Sequence, residues 1–160
     1  MYTMYIYVNT MKVIAVLMLL VSVVSTSSAQ DKGEQLYHAV NKNNTEVAAR
    51  LLAEGADPNY VKESGWMKTN VLITAVTTQN IDVVRLLLER KADVHWKDGF
   101  KTTAVMYAAS SGRVDILKLL LEHGANIHDT DGEGNTVLTA AKESKNGEMV
   151  SFVQSKLQEK

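Results

Sequence analysis

The sequence predicts an all-α fold: a solenoid of about four helix–turn–helix layers joined by short hairpin-like fingers. Three observations predict it. The phrase "EVAARLLAEGAD" (Glu46 to Asp57) returns as "DVVRLLLERKAD" (Asp82 to Asp93) and as "DILKLLLEHGAN" (Asp115 to Asn126). An alanine anchors each copy, at Ala39, Ala75, Ala108 and Ala141; the last two steps are equal and the first is slightly longer. Each copy carries two short stretches of helical apolar periodicity rather than one. A fixed period of this length is the mark of a repeat architecture, in which no unit can bury its apolar face alone.

The third copy justifies the elements most clearly. Val105, Met106, Ala108 and Ala109 give a first helix one apolar face that ends near Gly112, where glycine supplies a left-handed turn. Ile116, Leu117, Leu119, Leu120 and Leu121 give the second helix a broad apolar stripe. Gly124 closes that helix as a C-terminal cap, and Gly55 does so in the first copy. Lys91 takes the place in the second copy, so that turn is expected to be strained or differently shaped. The fourth copy begins at Thr136 and decays toward the C-terminus. The repeats fall at approximately 33–64, 65–98, 99–131 and 132–160.

The 33-residue period and these positions resemble the ankyrin repeat. The carriers are Ala108-Ala109, Gly112, Asp115-Ile116-Leu117, Leu119-Leu120-Leu121 and Gly124-Ala125-Asn126. Matching sets are Asp82-Val83-Val84, Leu86-Leu87-Leu88 and Ala92-Asp93 in the second copy, and Gly55-Ala56-Asp57 with Asn59 in the first. The resemblance covers roughly residues 33–157. The family's Thr-Pro-Leu-His helix start reads Asn70-Val71-Leu72-Ile73, Thr103-Ala104-Val105-Met106 and Thr136-Val137-Leu138-Thr139 here. Without the proline and the hydrogen-bonding histidine, helix starts are expected to be less sharply fixed, with apolar packing in place of a polar tie. The resemblance implies protein partners, recognised by the fingers and the concave helix face.

The N-terminal segment, 1–29, reads differently from the rest. It holds no acid and one base, Lys12, followed by the apolar run Val13 to Val24 and a small-residue exit at Ser27 and Ala29. This is the pattern of a secretory signal peptide cut after Ala29, with Met11 the expected start. The apolar core is short of the ~20 residues of a membrane span, although an uncleaved anchor is the competing reading. Export places the chain from Gln30 onward outside the cytoplasm, in the periplasm if the source is Gram-negative. Cleavage removes one of the 17 bases and no acid, leaving 16 against 18 acids. That balance argues against nucleic acid as partner.

The chain has no cysteine and no recognisable catalytic, phosphate-binding or zinc motif, so no enzyme activity, cofactor or metal is expected. "DTDGEG" (Asp129 to Gly134) approaches a calcium loop through Asp129, Asp131 and Glu133, but the position for the bidentate glutamate holds Ala140. A hairpin turn shaped by aspartate and glycine is the preferred reading. His95 and His128, one period apart, are expected to be solvated or backbone-bonded turn residues. His123 suits a helix C-terminus as a cation, and His38 is expected on the concave side.

The informative departure is the loop between the first two copies. The stretch from Asp57 to Asn70 is longer than its counterparts, Asp93 to Thr103 and Asn126 to Thr136, and the insertion lengthens one finger. That finger holds Tyr60, Lys62, Trp66, Met67 and Lys68, and the next holds Trp96, Lys97, Phe100 and Lys101. Aromatic and basic side chains on exposed loops suit a protein-binding patch. The alternative is that Trp66 and Trp96 fold down over neighbouring hairpins. Thr74, Thr77, Thr78, Tyr107, Ser110 and Ser111 are expected to add a polar concave face. Two roles compete: an immunity or inhibitor protein that plugs a toxin or enzyme, and an adaptor that binds without blocking; a third, an enzyme with an unrecognised site, is disfavoured because no nucleophile–base pair is visible. The chain is expected to be monomeric on its own.

Overall fold

Val83, Val84 and Leu87 lie on one side of a helix, and Ile116, Leu117 and Leu120 repeat that side one period later. All six are fully closed to solvent, so the periodic stripe is the packing surface. A computed structural model describes residues 31–65 and 67–159. The leader-like segment, the expected start at Met11 and Trp66 lie outside the described residues.

Eight helices and one hairpin follow in order among those residues. They are α1 (31–41), α2 (Thr45–Ala53), β1 (Val61–Ser64), β2 (Met67–Asn70), α3 (Val71–Thr77), α4 (Ile81–Glu89), α5 (Ala104–Ser110), α6 (Val114–Glu122), α7 (Val137–Glu143) and α8 (Gly147–Gln158). The odd helices stack in one row, α3 on α5 on α7, and the even helices in another, α2 on α4 on α6 on α8. The core runs continuously between the rows, from Leu36 in α1 to Val153 in α8. Ala75, Ala108 and Ala141 are fully buried in the odd row, where their small size lets one layer nest on the next. This is the ankyrin solenoid that the period implies.

The helix-to-helix turns all use a left-handed residue: Asn43, Gln79, Gly112 and Lys145, with φ of 58°, 57°, 70° and 57°. Only one of the four is glycine. After the even helices the same conformation falls on Gly55, Lys91 and Gly124. Lys91, with φ of 62°, therefore adopts the family's turn rather than a different shape, and carries the strain that a Cβ brings there.

The helix starts correct the expectation of loose ends. Asn70 accepts the Ile73 N–H at 2.8 Å and caps α3. Thr136 and Thr139 form a reciprocal capping box at the start of α7. Of the three starts at the Thr-Pro-Leu-His place only α5 fits the expectation: Thr103 makes no side-chain cap, and its buried hydroxyl has no hydrogen-bond partner among the described residues. The Met106 N–H that such a cap would take bonds the Thr103 carbonyl instead, at 3.1 Å.

Side chains at the starts of the even helices also tie each layer to the one before. Asn80 donates to Thr45 Oγ1 at 2.9 Å. Arg113 donates to the Gln79 carbonyl at 2.7 Å, with its guanidinium also on Asp115. Asn146 donates to the Gly112 carbonyl at 3.0 Å.

Candidate protein-binding surface

The insertion in the first finger turns it into a true hairpin. β1 and β2 pair antiparallel, with Val61, Lys62, Glu63 and Ser64 opposite Asn70, Thr69, Lys68 and Met67. The Val71 N–H reaches the Tyr60 carbonyl at 3.2 Å and carries the ladder to the helix start. Glu63 and Lys68 face each other across the strands, with Nζ to Oε1 at 2.6 Å. Lys62 reaches back to Glu34 on α1 and forms an ion pair. The Lys62 ammonium hydrogen-bonds Glu34 and holds its carboxyl below the usual range, and the same bond raises Lys62. Tyr60 lies half-buried against Gly33, where a Cβ would come within 2.3 Å of its ring.

The second and third fingers are built differently, around an aspartate. Asp98 Oδ1 accepts the Phe100 and Thr102 N–H groups at 2.8 and 2.9 Å, and Oδ2 accepts the Tyr107 hydroxyl at 2.7 Å. Burial, and then this bond to a carboxylate, push the Tyr107 phenol well above its ordinary value, so it stays a donor. Asp131 repeats the device: Oδ1 accepts from Glu133 and Asn135 N–H at 2.9 Å each, and Oδ2 from the Asn135 side chain at 2.9 Å. Asn135's amide leads the bonds that hold the Asp131 carboxyl below its usual range. Both oxygens serve the turn, which is what "DTDGEG" builds. The two fingers are joined where the Gly132 N–H meets the Phe100 carbonyl at 2.8 Å. A side chain at 132 would press its Cβ to within 3.0 Å of that oxygen.

Between the first two fingers and the odd helices lies a concavity of about 260 Å³. It gathers Lys62, Met67, Lys68, Thr74, Thr77, Phe100 and Tyr107 from the residues singled out in the sequence. Met67 and Phe100 are the exposed large apolar side chains among the described residues, at 52% and 56%. They stand on separate fingers and border the same space. The lysines are less free than their sequence positions suggest, since Lys62 and Lys68 each hold a carboxylate. Thr74 is only 5% exposed and returns its hydroxyl to the Asn70 carbonyl, so it forms the floor rather than a docking group. Thr77 likewise bonds the Thr74 carbonyl.

The remaining residues sit elsewhere. Trp96 is half-buried and packed on the core, as the folded-down alternative has it. Lys97 reaches the Thr130 carbonyl at 3.3 Å. Lys101 stands exposed at a finger tip with φ of 61°. Thr78, Ser110 and Ser111 bond carbonyls of their own helices and do not line the concavity. Sequence reasoning missed Tyr37, Asn41 and Asp98, which do. The period held the signal for one of them: Asn41 occupies in the first copy the place of Thr77 and Ser110.

The histidines take turn and cap positions. The N–H groups of His95 and His128 bond Asp93 and Asn126 side chains at 2.8 and 3.0 Å, with both residues exposed. His123 caps α6, its Nδ1 lying 2.9 Å from the Leu119 carbonyl. His38 lies 3.7 Å from Glu34. A larger depression, about 760 Å³, lies on the even row between α6, α8 and the turn at 124–128. Lys118 and Lys156 flank the Phe152 ring there, at 5.2 and 5.8 Å from its centre. It contains no residue of the first two fingers and mixes both signs of charge.

Comparison with known proteins agrees with this architecture. Two overlapping stretches, residues 12–98 and 72–159, match the family model described as ankyrin repeats (3 copies). Mitochondrial disaggregases of Homo sapiens and Bos taurus are each 36% identical over 75 residues, which is 47% of this chain. That match spans 10% and 11% of those proteins, so this chain corresponds to about a tenth of their length. Ankyrin repeats are typically non-catalytic modules that mediate interactions between proteins. On the family match and the paired helices together, the chain belongs to the ankyrin-repeat family.

Proposed function

We propose that this chain is a non-catalytic, exported module that binds a protein partner across the concavity between its first two fingers and the odd helices. The observation that carries the reading is the pairing of Met67 and Phe100. Two large apolar side chains are held half out in water on neighbouring fingers, over the same 260 Å³ space. Leaving them exposed costs solubility, and covering them on a partner recovers the hydrophobic term. The leader-like segment 1–29 supports export, and fractionation of the native cell tests that part separately.

A photo-crosslinking residue placed at Met67 in the full chain tests the surface. The expected result is one dominant crosslinked protein, lost when Phe100→Ala is added while the melting temperature stays put. A crosslink obtained from Lys118 in the even-row depression, and none from Met67, overturns the reading. Assaying the captured protein with and without the chain separates an inhibitor from an adaptor.

A further inference from the structure

Resting on that reading of the surface, we infer that the concavity receives one large, uncharged, apolar side chain of the partner. Size is the first ground. At about 260 Å³, the space falls below the ~300–1,000 Å³ of small-molecule sites yet exceeds the ~150 Å³ that encloses a benzene. It has room for one bulky side chain and little beyond it.

Charge is the second ground. Each charged side chain on the rim already has partners within the chain. Lys62 is held by Glu34, Lys68 by Glu63, and Asp98 by two N–H groups and the Tyr107 hydroxyl. A charged guest would lose water there and would have to compete with those partners for any counter-charge. An apolar guest would instead cover Met67 and Phe100, and a methionine wall adapts to either an aliphatic or an aromatic shape.

A titration of the full chain, followed by the methyl resonance of Met67, decides it. The probes are N-acetyl-tryptophanamide and N-acetyl-leucinamide, set against the amides of N-acetyl-lysine and N-acetyl-glutamate. The first two are expected to shift the Met67 methyl saturably, with a dissociation constant that moves less than about twofold between roughly 50 and 500 mM salt, because no unscreened charge takes part. Phe100→Ala is expected to weaken them about fivefold or more. A stronger response to the lysine or glutamate probe, a steep salt dependence, or no saturable shift from any probe overturns the inference. If crosslinking at Met67 succeeds while the titration fails, the anchor is wrong and the surface stands. If both fail, the surface itself is wrong.

Discussion

Around α6, the side chains of Ile116, Leu117 and Leu120 are closed to solvent in apolar packing, whereas in the finger from Lys97 to Thr103 a single aspartate holds two N–H groups and Phe100 stands half in water. Helix α5 separates the two regions in the chain, and they answer to different forces. Apolar burial is tolerant of sequence, so the layers repeat one another closely. Hydrogen-bonded turns depend on particular residues, so the fingers come in two kinds: one is a strand ladder, two are aspartate turns. A repeat protein can therefore keep its stack and alter its fingers independently, which is where a binding surface can diversify.

Substitutions at graded distances from the stack sharpen that contrast. Leu120→Ala removes a fully buried side chain and is expected to cost about 2–5 kcal/mol, read as a lowered midpoint in chemical unfolding. An unmoved midpoint would place stability outside the stack. Trp96→Ala is next, at about 1–2.5 kcal/mol, since this half-buried ring packs on the core without being enclosed. Its loss lowers the melting temperature, whereas an unchanged melt with lost partner binding would make Trp96 a finger residue after all. Lys91→Gly, at the junction of stack and finger, relieves a left-handed lysine. It is expected to stabilise by up to about 1 kcal/mol, by thermal melt.

The smallest effect belongs to the third finger and depends on pH. The Asp131 carboxyl titrates below its ordinary 3.8 in the folded chain, so the unfolded chain takes up the proton first. Its contribution is present above that ordinary value and fades as pH falls through the lower folded one. The stability gap between the wild type and Asp131→Ala is therefore expected to close on acidification from about pH 6 to below 3.8. A gap that widens instead would mean the carboxylate is repelled in the turn.

The stack was legible because helical periodicity and the 33-residue interval report the same buried face. The left-handed turn at Lys91 was half legible: the position was marked, but not that a lysine would adopt glycine's conformation. The fingers were less so. The insertion showed a longer loop, yet that Val61 to Ser64 pair with Met67 to Asn70 as strands is something no composition announces. Lys62 and Lys68 read as free cations because Glu34 lies 28 residues from its partner, and Glu63 meets Lys68 only through the hairpin register. Trp96 could not be placed because a ring beside a turn fits equally well up or down.

The side-chain ties at the starts of the even helices run one way, from Asn80, Arg113 and Asn146 back to the preceding turn. That gives the even row a mechanical polarity. A tug on its C-terminal end carries the donors off first, so each turn left behind still holds its own neighbour. Under load the molecule should unpeel in steps, each 33-residue unit releasing roughly 110 Å of slack before the next gives way.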